Sequence, residues 1–248
     1  MKIVFLTALG VGGATVFGAL MGFLFREITH RFRDVSMALA AGIMLAASIV
    51  SLVLPALEQG SLPVTLAGFL TGGCFMSVLN RLVPHMHALA GIASLSETDR
   101  IHADRVLLFI SAIAIHNFPE GIAAGVSFGS GSTGDALVIA GGIALQNIPE
   151  GMVIIAPMLA AGIRPGRTFL CGLLSGLVEV IGTLLGYFAV SAAAAVLPFA
   201  LAFAGGTMIY VISDEMIPDT HAHGNGRSAT YALLLGICLM LALDNLLG

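Results

Sequence analysis

His116-Asn117-Phe118-Pro119-Glu120-Gly121 and Gln146-Asn147-Ile148-Pro149-Glu150-Gly151 are two copies of one pattern, each set in a stretch apolar enough to cross a membrane. An ionisable side chain at bilayer depth costs roughly 2.5 to 3.5 kcal/mol on insertion scales, so acids and an imidazole placed there by a repeated pattern mark a binding site. Read as helix, the first copy puts His116, Asn117 and Glu120 on one face through its i, i+3 and i+4 spacings. Pro119 donates no amide hydrogen and its ring crowds the carbonyl of Ile115, so a bend and a freed carbonyl are expected at the site. The second copy repeats this with Gln146, Asn147 and Glu150, and Pro149 frees the carbonyl of Leu145.

The rest of the chain is the scaffold for these motifs. It is 58% hydrophobic and 10% charged with no tryptophan, and apolar runs recur along its length with short polar breaks. That composition predicts an all-α polytopic membrane protein, a single transmembrane transporter domain over residues 1–248. Eight spans are expected at about 3–25, 35–57, 63–83, 106–129, 135–161, 168–193, 196–217 and 229–247. The first begins after Lys2 but runs too long for the apolar core of a cleaved leader, so it is read as a span.

Basic residues in short loops stay on the cytoplasmic side. Arg26, Arg31, Arg33, Arg81, Arg100, Arg105, Arg164, Arg167 and Arg227 all fall in or beside loops that eight spans place on one face, whereas the opposite face has only Lys2. Both termini are therefore expected outside, and the loop of about residues 84–104, with His85, His87, Glu97, Asp99 and His102, in the cytoplasm. Short loops and compact length suggest a bacterial inner membrane. Cys74, Cys171 and Cys238 lie far apart within spans and indicate neither a disulfide framework nor a thiolate metal cluster.

The short turn at Ser130 to Asp135 makes spans four and five antiparallel, so the two motifs are related by an axis in the membrane plane. Inverted repeats with bent helices meeting at mid-depth are a recurrent transporter design. A third buried acid, Glu179, falls near the middle of span six. Carboxylates, imidazole and amide oxygens form a mixed nitrogen and oxygen donor set suited to zinc, iron(II), manganese or cadmium. No lysine or arginine lies within spans four to six to offset three carboxylates; one divalent ion leaves one negative charge and two leave one positive charge. Satisfaction by a neighbouring helix explains a lone buried acid well, but not a doubled motif with a third acid.

Outside this centre, Ser51, Glu58 and Asp244 are expected near the outer face, and Asp214, Glu215 and His221 at the cytoplasmic end of span seven, where acids would gather cations. Taken alone, each cluster reads more readily as solvated loop. Glycines four apart, as in Gly18 and Gly22, Gly121, Gly125 and Gly129, Gly172 and Gly176, and Gly182 and Gly186, let helices approach closely. Packing within one chain is the favoured reading of them, with a homodimer kept as the alternative. The expected partners are divalent metal ions and the lipid bilayer, with no nucleic acid.

Together, His116-Asn117-x-Pro119-Glu120-Gly121, Asn147-x-Pro149-Glu150-Gly151, Glu179 and Glu215-Met216-Ile217-Pro218-Asp219-Thr220-His221 resemble the ZIP family of divalent-metal transporters, in particular its prokaryotic branch. The resemblance covers essentially the whole chain. It implies zinc uptake toward the cytoplasm through a mid-depth centre able to hold two ions. By that likeness His116, Glu120, Gln146 and Glu150, with Met44 nearby, form one site; Asn117, Glu120, Asn147, Glu150 and Glu179 form the other; Ser51, Glu58 and Asp244 serve as entrance and Asp214, Glu215 and His221 as exit. Gln146 stands where many members have histidine, Asn147 where some have aspartate, and Asp214 where an exit histidine is common. These departures point away from strict zinc selectivity and toward a weaker second site. An intramembrane metalloprotease is disfavoured because no His-Glu-x-x-His occurs, and a proton- or sodium-coupled carrier of an organic solute because no arginine or tryptophan is embedded to grip one.

Overall fold

The computed structural model describes residues 1–24, 29–89, 117–129, 132–160 and 163–247. Among them the regular structure is entirely helical. In chain order the helices are α1 (Lys2–Leu24), α2 (His30–Gln59), α3 (Leu62–Leu89), α4 (117–127), α5 (Thr133–Ala160), α6 (Pro165–Ala192), α7 (Ala194–His221) and α8 (Gly226–Leu247). Seven of these, all but α4, contain a stretch long and apolar enough to cross a membrane. The all-α polytopic expectation is therefore met. Residues 106–116 of the expected fourth span, His116 included, lie outside the described residues, as does the loop beyond Leu89; up to that residue α3 continues as helix past Pro84.

Local signals set the helix starts. Thr29 caps α2 by accepting the amide of Phe32 at 3.2 Å, and Pro165 opens α6 at a position where its missing amide hydrogen costs nothing. Two helices change winding near their C-terminal ends. α2 loosens to π-helix over Ala47–Val53 and α7 over Ile212–Met216, each followed at once by a proline, Pro55 and Pro218. Such widened turns commonly sit at functional sites, and here they fall at the expected entrance and exit.

Helix pairing follows the glycines. In lipid, apolar burial gives no drive for one helix to prefer another, so small residues that admit a second backbone decide the partners. A β-carbon on Gly18 would meet the carbonyl of Ile148 and one on Gly151 that of Thr15, which locks α1 to α5. The same reciprocity joins α1 to α6 through Gly12 and Gly176, and α4 to α6 through Gly125 and Gly186. It also joins α2 to α8 through Gly42 and Gly236, and α3 to α7 through Gly72 and Gly206. Every glycine of the four-residue series named from the sequence meets another helix of the same chain or packs on its side chains.

The result is a bundle in which α2 and α5 are the most enclosed of the seven long helices, while α3 and α8 are peripheral and show leucines such as Leu66, Leu70, Leu234 and Leu235 to the outside. A continuous apolar core of Val11, Ala41, Met44, Ala124, Ile143 and Met208 runs between α1, α2, α4, α5 and α7. The three cysteines are free.

Candidate metal centre

The two repeated motifs meet inside the bundle. Glu120 on α4 is fully enclosed and its Oε1 accepts a hydrogen bond from Gln146 Nε2 on α5 at 3.0 Å. Asn147 and Glu150 stand beside Gln146 on α5, and all are buried. α5 runs unbroken through Pro149, so the proline is accommodated within one helix. α6 brings Glu179, also fully enclosed, from the other side. The carboxylates of Glu120, Glu150 and Glu179 lie close enough to act on one another's charge.

Glu179 is held by three donors. Asn147 Nδ2 reaches its Oε2 at 2.7 Å, Thr15 Oγ1 reaches its Oε1 at 2.6 Å, and Asn117 Nδ2 also donates to Oε1. Asn147 Nδ2 lies 3.3 Å from the carbonyl of Val11 as well, so α1 contributes two groups to the centre. A carboxylate can only accept, which fixes both asparagine amides with nitrogen toward Glu179. The complementary atoms are left over: Glu120 Oε2, Gln146 Oε1 and Asn147 Oδ1 are buried and have no hydrogen-bond donor, and Ser175 Oγ nearby on α6 has no partner either. Stranding one buried polar group costs about 1–3 kcal/mol, so these stranded acceptor oxygens beside the carboxylates are groups that could hold a cation.

Met44, whose carbonyl accepts Ser48 Oγ at 2.6 Å, is buried in the adjoining core. Among the described residues no three histidine, cysteine, aspartate or glutamate side chains converge tightly enough to hold a metal by themselves.

A model of the ZIP zinc transporter family matches residues 84–244, more than half of the chain. The chain belongs to the ZIP family. It is 42% identical to the zinc transporter GufA of Myxococcus xanthus over 96% of both chains. To the zinc transporter ZIPB of Bordetella bronchiseptica it is 38% identical over 95% of its own length and 78% of the relative's. The zinc transporter ZIP11 of Homo sapiens is 32% identical, covering 95% of this chain and 94% of the relative.

Of the ZIP entrance residues named from the sequence, Ser51, Glu58 and Asp244 line one cavity of about 290 Å³ where the ends of α2, α5 and α8 meet. Ser51 Oγ donates to Asp244 Oδ1 at 3.2 Å. Asp135, at the start of α5, completes the acidic lining and had no motif to announce it.

The exit residues are less unified. Asp214 is exposed, Glu215 accepts Asn80 Nδ2 from α3 at 2.8 Å, and both ring nitrogens of His221 are engaged, Nδ1 with the carbonyl of Ile217 and Nε2 with Thr230 Oγ1. A second polar knot ties α2 to the turn before α8: Asp34, fully enclosed, accepts Asn225 Nδ2 at 2.8 Å and lies 3.1 Å from His223 Nδ1, whose ring stacks on His30. Arg33 pairs with Asp219 beside it at 2.5 Å.

Proposed function

We propose that this ZIP-family chain takes up zinc, or a divalent ion of similar chemistry such as iron(II), manganese or cadmium, toward the cytoplasm through the centre between α4, α5 and α6. The chain is a transporter and not an enzyme, as its family membership gives. The observation that carries the reading is the set of buried acceptors without donors among the described residues, Glu120 Oε2, Gln146 Oε1 and Asn147 Oδ1, beside the enclosed carboxylates of Glu120 and Glu179. A divalent cation supplies the missing charge and occupies those oxygens at once.

In this reading Glu120 and Glu150 are the shared ligands. Gln146, His116 and Met44 complete one position, and Asn117, Asn147 and Glu179 the other. Neutral Asn147 makes the second position the weaker. Ser51, Glu58, Asp135 and Asp244 concentrate cations at the outer mouth, and Asp214, Glu215 and His221 receive the ion at the inner one. The arginine pattern supports both termini outside, and the short loops and compact length support a bacterial inner membrane. The four-residue glycine series packs within the chain, so a homodimer would use another surface.

Uptake into proteoliposomes, with zinc, iron(II), manganese and cadmium in competition, tests the function. Zinc accumulation abolished by Glu120→Ala and by Glu150→Ala is the expected result. Uptake by either variant at the wild-type rate would exclude this centre from the path.

A further inference from the structure

Thr15 stands out among the hydroxyls of the bundle. A threonine in a membrane helix ordinarily gives its proton to a carbonyl three or four residues back, as Thr71, Thr183, Thr207 and Thr220 do here. Thr15 instead spends its proton across the bundle on Glu179 Oε1 at 2.6 Å. It is fully enclosed, and α1 carries no charged residue other than Lys2, so this hydroxyl is not there to serve an ion directly by charge. Its backbone is also fixed: the Thr15 carbonyl lies where a β-carbon of Gly151, the last residue of the second motif, would fall.

The lone pairs of Glu179 say what this hydroxyl does. Each carboxylate oxygen accepts about two hydrogen bonds. Among the described residues Oε1 receives two, from Thr15 and Asn117, and is saturated; Oε2 receives one, from Asn147, which leaves it one acceptor position. We propose that Thr15 is a positioning residue of the metal centre: by saturating Oε1 from α1 it fixes the rotation of the Glu179 carboxylate and presents the remaining lone pair of Oε2 to the ion. The inference rests on the reading of Glu179 as a ligand given above. It adds α1 to the elements that set metal affinity, because a ligand's outer hydrogen-bond partner orients it.

The test is metal affinity of the purified full-length chain, titrated with zinc and with cadmium, for Thr15→Val, Thr15→Ser, Glu179→Ala and the double variant Thr15→Val/Glu179→Ala, with Glu120→Ala as reference. Thr15→Val should weaken binding by about 10- to 100-fold, the usual loss for an outer-shell partner. Thr15→Ser, which keeps the hydroxyl, should restore it. The double variant should bind like Glu179→Ala alone, since Thr15 acts only through that carboxylate. Wild-type affinity in Thr15→Val, equal weakness in Thr15→Ser, or additive loss in the double variant would each overturn the inference. If Glu120→Ala binds like wild type, the centre itself is misread and the inference falls with it. If Glu120→Ala abolishes binding and Thr15→Val does not weaken it, Thr15 alone is misassigned.

Discussion

Glu120→Gln separates a binding site from a structural buried acid. The substitution keeps the shape of the side chain and removes one negative charge from a position where Oε1 already has Gln146 as donor and Oε2 has none. Two unit charges about 4 Å apart in an effective dielectric of about 20 attract by roughly 4 kcal/mol. A coordinated divalent ion is closer and doubly charged, so that figure is a floor, and at 1.4 kcal/mol per decade it corresponds to a loss of roughly 1000-fold in affinity. The metal-free protein should respond in the opposite sense. There an ionised Glu120 would be enclosed within reach of the charges of Glu150 and Glu179, and the neutral amide carries no such repulsion. Calorimetric zinc titration together with thermal unfolding of the metal-free protein checks both parts. Zinc affinity should collapse while the metal-free melting temperature holds or rises. A variant that binds zinc within a few-fold of wild type, or that melts lower without metal, would refute the reasoning.

Asn147→Asp turns a donor to Glu179 Oε2 and the Val11 carbonyl into a second acid facing both, so the variant should be less stable than wild type without metal, be rescued by zinc, and hold more zinc per chain; unfolding with and without zinc, plus metal analysis, decides it. Gly125→Ala forces a β-carbon onto the Thr183 backbone and should cost about 1–3 kcal/mol, whereas Gly13→Ala points into open space and should be near neutral; equal effects on the detergent-solubilised protein would contradict the helix pairing. Asp244→Asn and Glu58→Gln should raise the KM for uptake at low ionic strength with little change in the maximal rate, and the difference should shrink as salt is added. Asp34→Ala removes the acceptor of Asn225 and His223 and should destabilise the protein by about 1–3 kcal/mol without changing zinc affinity; a weakened affinity in titration would tie that knot to the centre.

The centre was legible in the sequence because its parts repeat. Two Asn-x-Pro-Glu-Gly copies on neighbouring helices announced that Glu120 and Glu150 belong together, and the amide contact from Gln146 to Glu120 is the form that pairing takes. Seven of the eight expected spans were legible for a similar reason, since hydropathy sums over many residues. Thr15 was not, because a hydroxyl in a membrane helix has a local acceptor one turn back, and only the three-dimensional approach of α1 to α6 shows that it takes another. The π-helical turns at Ala47–Val53 and Ile212–Met216 escaped notice because hydropathy is blind to hydrogen-bond register, although Pro55 and Pro218 mark their ends. Asp34 and Asn225 come from opposite ends of the chain, and nothing in the spacing of either points to the other. Glycine periodicity predicted close packing but not partners, which depend on the reciprocal match of Gly42 with Gly236 and of Gly72 with Gly206.

The account stands most directly on where the ion sits. Anomalous diffraction at the zinc edge, from crystals of the protein grown with zinc, locates it without reference to activity. The expected result is density between the carboxylates of Glu120 and Glu150, within coordination distance of Gln146 Oε1, that disappears in Glu120→Ala. Zinc found only in the outer cavity near Glu58 and Asp244, or only at the cytoplasmic face near Asp214 and Glu215, with the space between the two repeated motifs empty, would contradict it.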